Sequence, residues 1–221
     1  MKSSDQELIK YYPYYYDLAF NWLLHSKYSH LLNYEVAVPE EGTFYYEAVM
    51  LSREISSLNE YERPIFDKMV HIIKARKQKQ YRLRKRYQSW KNQGYLVHFV
   101  TFTFSNDFIN LKDSVKRKYF TRYMRDKCID YFANVDFGEK NGRIHFHLCG
   151  VFKNSNEFTK SVVDKYGHQH YNNDWSYGFS DIQVSNSENT EYMDKLVNHA
   201  IKDSTESGSN IITMRHRKKL T

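Results

Sequence analysis

The sequence predicts an α+β fold: an antiparallel β-sheet with helices on one face, preceded by a mostly helical N-terminal region. Three observations carry that prediction. The stretch Tyr95–Phe104 is β-branched and aromatic, the composition of a strand. Ile144, Phe146 and Leu148 alternate with His145 and His147 at the two-residue period of a pleated chain. Met193, Leu196, Val197, Ala200 and Ile201 recur at the helical period and form a core-facing stripe.

Taken in order, residues 1–70 mix aromatics with acids. Leu18, Trp22 and Leu23 lie at helical spacing, as do Ile55, Leu58 and Tyr61, and then Ile65, Met69 and Ile72. A break is expected near Val38-Pro39-Glu40-Glu41-Gly42. Residues 74–91 carry nine basic residues and no acid, with Tyr81, Tyr87 and Trp90 interleaved. Such a run is either a solvated helix face or a nucleic-acid contact, since cations neutralise phosphates and rings stack on unpaired bases. Residues 1–94 thus read as a helical accessory region ending in a basic segment, and residues 95–221 as the α+β domain with a basic tail.

Within that domain the Tyr95–Phe104 strand stops at Ser105-Asn106-Asp107, and a helix is expected from Ser114 to Phe132. Strands follow at Ala133–Phe137 and Arg143–Phe152, joined by a connection containing Asn141-Gly142, a hairpin signal. A helix around Asn156–Lys165, a polar loop to Gly178, a strand Phe179–Val184, a helix Glu191–Lys202 and a last strand Asn210–Met214 complete the series.

Composition narrows the functional classes. The 221 residues hold 33 Lys and Arg against 26 Asp and Glu, a formal charge of +7 that suits an anionic partner. No run approaches the ~18 consecutive apolar residues of a membrane span. The N-terminus lacks the apolar stretch and small-residue cleavage site of a secretory signal. Cys128 and Cys149 form neither a metal-ligand spacing nor a disulfide framework, so a cytoplasmic, reducing location is expected.

The candidate chemistry sits on the alternating strand. His145 and His147 share one face and can hold one divalent cation. Asp136, flanked by Val135 and Phe137, is the better-placed acid to join them, with Glu139 in the connection as the other candidate. Two imidazoles and a carboxylate suit Mn²⁺ or Mg²⁺ with positions open for a phosphate oxygen. Against this stands the plain alternative of histidines on a sheet surface with no metal. A second pair, His168 and His170, lies in a polar stretch without alternation and reads as solvated. Tyr192 opens the late helix beside its apolar stripe, with Lys195 and His199 on the same flank. It is either a packing residue or a nucleophile, and the second role needs a nearby cation because free Tyr has a pKa near ~10.

Taken together, these motifs resemble the HUH endonuclease superfamily, the rolling-circle replication initiators of plasmids and single-stranded DNA phages and viruses. Phe99–Phe104 is similar to the family's first strand motif, Asp136–His147 to its metal motif, and Tyr192-Met193-Asp194-Lys195 to its Tyr-x-x-Lys nucleophile motif. Trp175–Gln183 is similar to the segment preceding the tyrosine in phage-type members. The resemblance covers roughly residues 95–215. It departs at Ile144, where many members carry Pro, and in having one tyrosine on the nucleophile helix. The sequence holds no Gly-x-x-x-x-Gly-Lys-Ser/Thr signature, so a fused P-loop helicase is not expected.

The resemblance implies an HUH/RRM-like palm that nicks and rejoins single-stranded DNA, or an extruded origin hairpin, through a 5′-phosphotyrosine at Tyr192. Lys195 assists, His145, His147 and Asp136 hold Mn²⁺ or Mg²⁺, and a host helicase and DNA polymerase act as partners. Arg82, Arg84, Lys85, Arg86, Arg143 and Arg217 are the expected DNA contacts. A single-tyrosine transposase or mobilisation relaxase would use the same site. An RRM-like single-stranded nucleic-acid-binding module would need neither metal nor Tyr192.

Overall fold

The structure, a computed structural model, describes residues 3–26, 28, 41–137, 143–154, 156, 158–165, 167, 169–184, 190–201 and 211–214. For 3, 4, 6, 41–46, 190–192, 199 and 201 the description is confined to the backbone. The elements run α1 (Ser3–Tyr11), α2 (Pro13–Leu24), α3 (Glu41–Ser57), α4 (Glu62–Asn92), β1 (His98–Phe104), α5 (Asp113–Lys127), β2 (Cys128–Phe137), β3 (Ile144–Phe152), β4 (Thr159–Val163), β5 (Gln169–Asn172), β6 (Gly178–Val184), α6 (Thr190–Ile201) and β7 (Ile212–Thr213). They form two compact units whose boundary falls inside α4, between Arg82 and Leu83.

The first unit is helical, as its sequence predicts. Pro13 opens α2, where its missing N–H costs nothing. At the start of α4 the Asn59 side chain accepts from the backbone N–H of Tyr61 (2.9 Å) and Glu62 (3.0 Å), and Glu62 accepts in return from the Asn59 N–H (3.0 Å). This reciprocal cap satisfies donors that the first helical turn leaves unpaired. The unit's core joins Leu18, Ala19, Leu23 and Leu24 of α2 to Ile55 of α3 and Phe66, Met69 and Ile73 of α4. The expected break covers residues 38–40, outside the described residues, and Glu41 and Gly42, which begin α3.

The second unit is built on a seven-stranded sheet in the order β4-β5-β6-β1-β3-β2-β7, with every described pairing antiparallel. On one face Val100, Phe102, Phe104, Val135, Phe146 and Ile182 pack with Phe120 and Met124 of α5. Phe120 stacks on Phe146 with centroids 4.2 Å apart. Burial of each such ring stabilises the fold by roughly 1.5–3 kcal/mol. On the other face Phe99, Phe132, Cys149 and Val151 pack with Met193, Val197 and Ala200 of α6 and with Leu83, Tyr87 and Trp90 from the end of α4. The sequence reading puts helices on one face; the structure has them on both.

Three local expectations are corrected. The helix expected to run to Phe132 ends at Lys127, and β2 begins at Cys128. β2 is covered on both faces, so it lacks the alternation that marks a half-buried strand. Residues 159–163 form strand β4 rather than a helix, paired to β5 through Thr159–Asn172 and Lys160–Tyr171. The polar loop expected before Gly178 contains β5, whose Tyr171 pairs with Ile182. Gly178 starts β6 because the chain passes so close to β1 that a Cβ there would sit 2.1 Å from the Thr103 carbonyl oxygen.

Candidate metal and nucleic-acid site

The face that carries α6 is only partly roofed, and strand register orders what remains. Residues directly opposite one another on paired strands point the same way. One row therefore runs Phe179 (β6), Thr103 (β1), His145 (β3), Asp136 (β2). The next runs Asp181, Thr101, His147, Asn134. A third runs Gln183, Phe99, Cys149, Phe132, and its Phe99, Cys149 and Phe132 lie under α6 and the end of α4. The polar residues of the first two rows lie beside this apolar roof.

Each histidine is held by a threonine of the neighbouring strand. Thr103 Oγ1 lies 2.9 Å from His145 Nδ1, and Thr101 Oγ1 lies 3.2 Å from His147 Nδ1. The two rings stand nearly parallel, 20° apart, with centroids separated by 6.4 Å, and Phe99 stacks on the inner side of His147. With Nδ1 engaged toward β1, Nε2 of His147 faces β2 and lies 3.9 Å from Asp136 Oδ2. Asp136 Oδ1 accepts from the Phe137 backbone N–H at 2.8 Å. Burial lowers the His145 pKa, the Asp136 carboxylate opposes that shift, and the Arg143 guanidinium reinforces it. His145 is therefore biased toward the neutral form, the state in which imidazole ligates a metal. Arg143 itself donates to the Asn106 side chain.

These residues fit a divalent cation. Donor atoms about 2.1 Å from one ion lie roughly 3–4 Å apart, which the His147–Asp136 separation matches, and a hydrogen bond on the second ring nitrogen is how ligating histidines are oriented. Among the described residues no three of His, Cys, Asp and Glu converge as a complete ligand set. Glu139 lies outside the described residues.

The other predicted residues are distributed as follows. Tyr192 is the third residue of α6, immediately before Met193 of the roof, and its side chain lies outside the description. Lys195, one turn on, is exposed. Asp194 between them accepts from the Tyr87 hydroxyl at 2.8 Å. On α4, Arg82 and Lys85 are exposed, and Arg84 Nε donates to Asn198 at 3.2 Å. Arg86 makes a two-pronged ion pair with Asp130, Nε at 2.6 Å. Arg217 lies outside the described residues.

His170 corrects a further expectation. It is not solvated: Nδ1 lies 2.7 Å from Asp181 Oδ1 and Nε2 lies 3.6 Å from Asp164 Oδ2, with the imidazole only 14 % exposed. His168 lies outside the described residues. Sequence reasoning also missed Thr101 and Thr103. Their alternation with Val100, Phe102 and Phe104 is the signal that marks them as facing away from the α5 core.

Fold and site define a class: an α+β protein whose antiparallel sheet presents a strand-borne histidine pair on a partly open face. Residues 97–200, just under half of the chain, match the family described as replication-associated protein ORF2. That segment runs from the residue before β1 almost to the end of α6 and so contains the two histidines, Asp136 and Tyr192. The match supports a replication-associated protein of the replication-initiator kind, and with it DNA binding. Searches of curated proteins and of solved structures return no match. No helix among the described residues is long and apolar enough to cross a membrane.

Proposed function

We propose that this protein is a rolling-circle replication initiator that nicks and rejoins single-stranded DNA at an origin through a 5′-phosphotyrosine at Tyr192. The observation that supports this most directly is the pair of threonine-oriented imidazoles with the Asp136 carboxylate 3.9 Å from one of them, inside the segment that matches a replication-associated family. His145, His147 and Asp136 hold Mn²⁺ or Mg²⁺, and the bound cation supplies Lewis-acid polarisation of the scissile phosphate.

The Tyr192 phenolic oxygen attacks phosphorus. A Tyr O–P bond forms, the P–O3′ bond breaks, the phenolic proton passes to solvent, and the departing 3′ oxygen takes one up. The released 3′-hydroxyl primes synthesis by a host DNA polymerase while a host helicase opens the duplex in the cytoplasm. The phosphotyrosine conserves the ester, so the reverse attack rejoins ends. The Lys195 ammonium offsets charge near the phosphate. Arg82, Arg84, Lys85, Arg86, Arg143 and Arg217 supply the cationic surface for flanking DNA, with Arg86 acting through its pair with Asp130.

The test is incubation with a pooled single-stranded DNA library and Mn²⁺, with EDTA as control, on a denaturing gel. The expected result is an EDTA-sensitive covalent adduct that mass spectrometry maps to Tyr192. Tyr192→Phe should lose the adduct and keep binding, and His145→Ala and His147→Ala should reduce it to background. Asp136→Ala should lose activity that Glu139→Ala retains; the reverse puts the third ligand at Glu139. An adduct on another tyrosine overturns the nucleophile, and metal-independent binding with no adduct overturns the enzyme in favour of a binding module.

A further inference from the structure

The row that holds His145 ends, two strands away across β1, in a residue of a different kind. Phe179 is 68 % exposed on the same face as Thr103, His145 and Asp136, all of them polar. Two inter-strand spacings put its backbone about 10 Å from that of His145. A nucleotide held at the histidine pair by its phosphate therefore has a neighbouring base within reach of the ring. Two residues along β6, roughly 7 Å away on the same face, lies the half-exposed carboxylate of Asp181. Its Oδ1 accepts from His170 Nδ1–H at 2.7 Å, and that bond fixes the carboxylate on the open sheet surface.

We infer that Phe179 and Asp181 form a binding site for one unpaired base next to the scissile phosphate, with Phe179 as the stacking platform and Asp181 as a hydrogen-bond acceptor. This rests on the single-stranded DNA reading proposed above and adds a base preference to it. A carboxylate only accepts, so it pairs with the exocyclic amino group of adenine, cytosine or guanine. Thymine presents two carbonyl oxygens around one N–H on the same edge and is disfavoured. The acidic side chain also repels phosphate, which leaves the backbone on the histidine side of the row and turns the base toward β6.

The experiment uses the full chain and single-stranded oligonucleotides carrying 2-aminopurine at each position in turn, in EDTA, so that it does not depend on cleavage. One position should show fluorescence quenching on binding. Phe179→Ala should abolish that quench and weaken affinity about tenfold, and Phe179→Trp should restore both. With Mn²⁺, thymine at that position should slow adduct formation about tenfold relative to cytosine, and Asp181→Asn, whose amide also donates, should erase the difference. Thermal midpoints serve as the folding control, which an exposed ring and a conservative amide should leave unmoved.

Equal quenching and equal base preference in wild type and Phe179→Ala overturn the site while leaving nicking intact. Failure of the wild type to form any adduct, with the Phe179-dependent quench still present, overturns the nicking reading and leaves the base site standing. A wild type that retains no single strand in EDTA overturns the site.

Discussion

His98 opens β1 with its imidazole 1 % exposed, edge-on to the rings of Phe152 and Phe158. Neither ring nitrogen has a hydrogen-bond partner of ordinary geometry among the described residues. Burial depresses its pKa to about 4, and the nearby backbone of Gly150 and Leu96 offsets only part of the shift. An imidazole that stays neutral when folded but takes a proton when unfolded stabilises the fold fully above pH ~6.5, and that contribution disappears as pH falls from there toward 4. A difference of that size between the folded and unfolded chain corresponds to about 3 kcal/mol. Denaturant titrations at pH 7.5 and 4.5 should show a loss of this order in the wild type, reduced in His98→Leu. Equal losses in both proteins would mean that the acid sensitivity lies elsewhere. The role of His98 was not legible in the sequence, because a histidine in an apolar strand looks the same whether its ring meets two phenyl groups or solvent.

At the scale of elements, Asp130 ties the end of α4 to β2. Its carboxylate takes both prongs of Arg86, the Trp90 indole N–H at 3.1 Å and the Tyr131 backbone N–H at 2.9 Å, while the Trp90 ring stacks on Phe132 at 5.6 Å. Removing one partner of such a pair leaves the other with its charge partly desolvated, which costs more than the pair itself contributes. Asp130→Ala should lower unfolding stability by about 3 kcal/mol, read as a shift in denaturant midpoint at unchanged slope. A midpoint within error of wild type would mean that the pair contributes nothing to the fold. The alternating core of β3 and the stripe of α6 were legible because each exposes one side only. β2 misled because it is covered on both sides. β4, exposed along its whole length, shows no apolar pattern at all, and only its pairing with β5 makes it a strand.

The whole molecule carries +7, and the exposed Arg82 and Lys85 belong to a basic run with no acid between 74 and 91. Each cation–phosphate contact releases condensed counterions when a strand binds. Affinity for a single-stranded oligonucleotide should therefore fall steeply between about 50 and 200 mM salt on a log–log plot. Lys85→Ala should flatten the slope by roughly 0.7, the value of one contact on a single strand, without altering base preference. A slope unchanged in that variant would take Lys85 off the DNA path, and a change in base preference would mean that it touches a base.

The sequence by itself determined the α+β class, the strands β1, β3 and β6, the helix α6 and the shared face of His145 and His147. Those features depend on periodicity, which local chain geometry reads directly. Only the tertiary structure decided that Thr101 and Thr103 hold the imidazoles, that His170 clamps Asp181, and that Phe179 and Asp136 end one row four strands wide. The threonine contacts join residues 46 and 42 positions apart in the chain, and the other two depend on how one strand lies against the next. Register is set by the whole sheet, since a slip of one residue would turn every side chain of a strand to the opposite face.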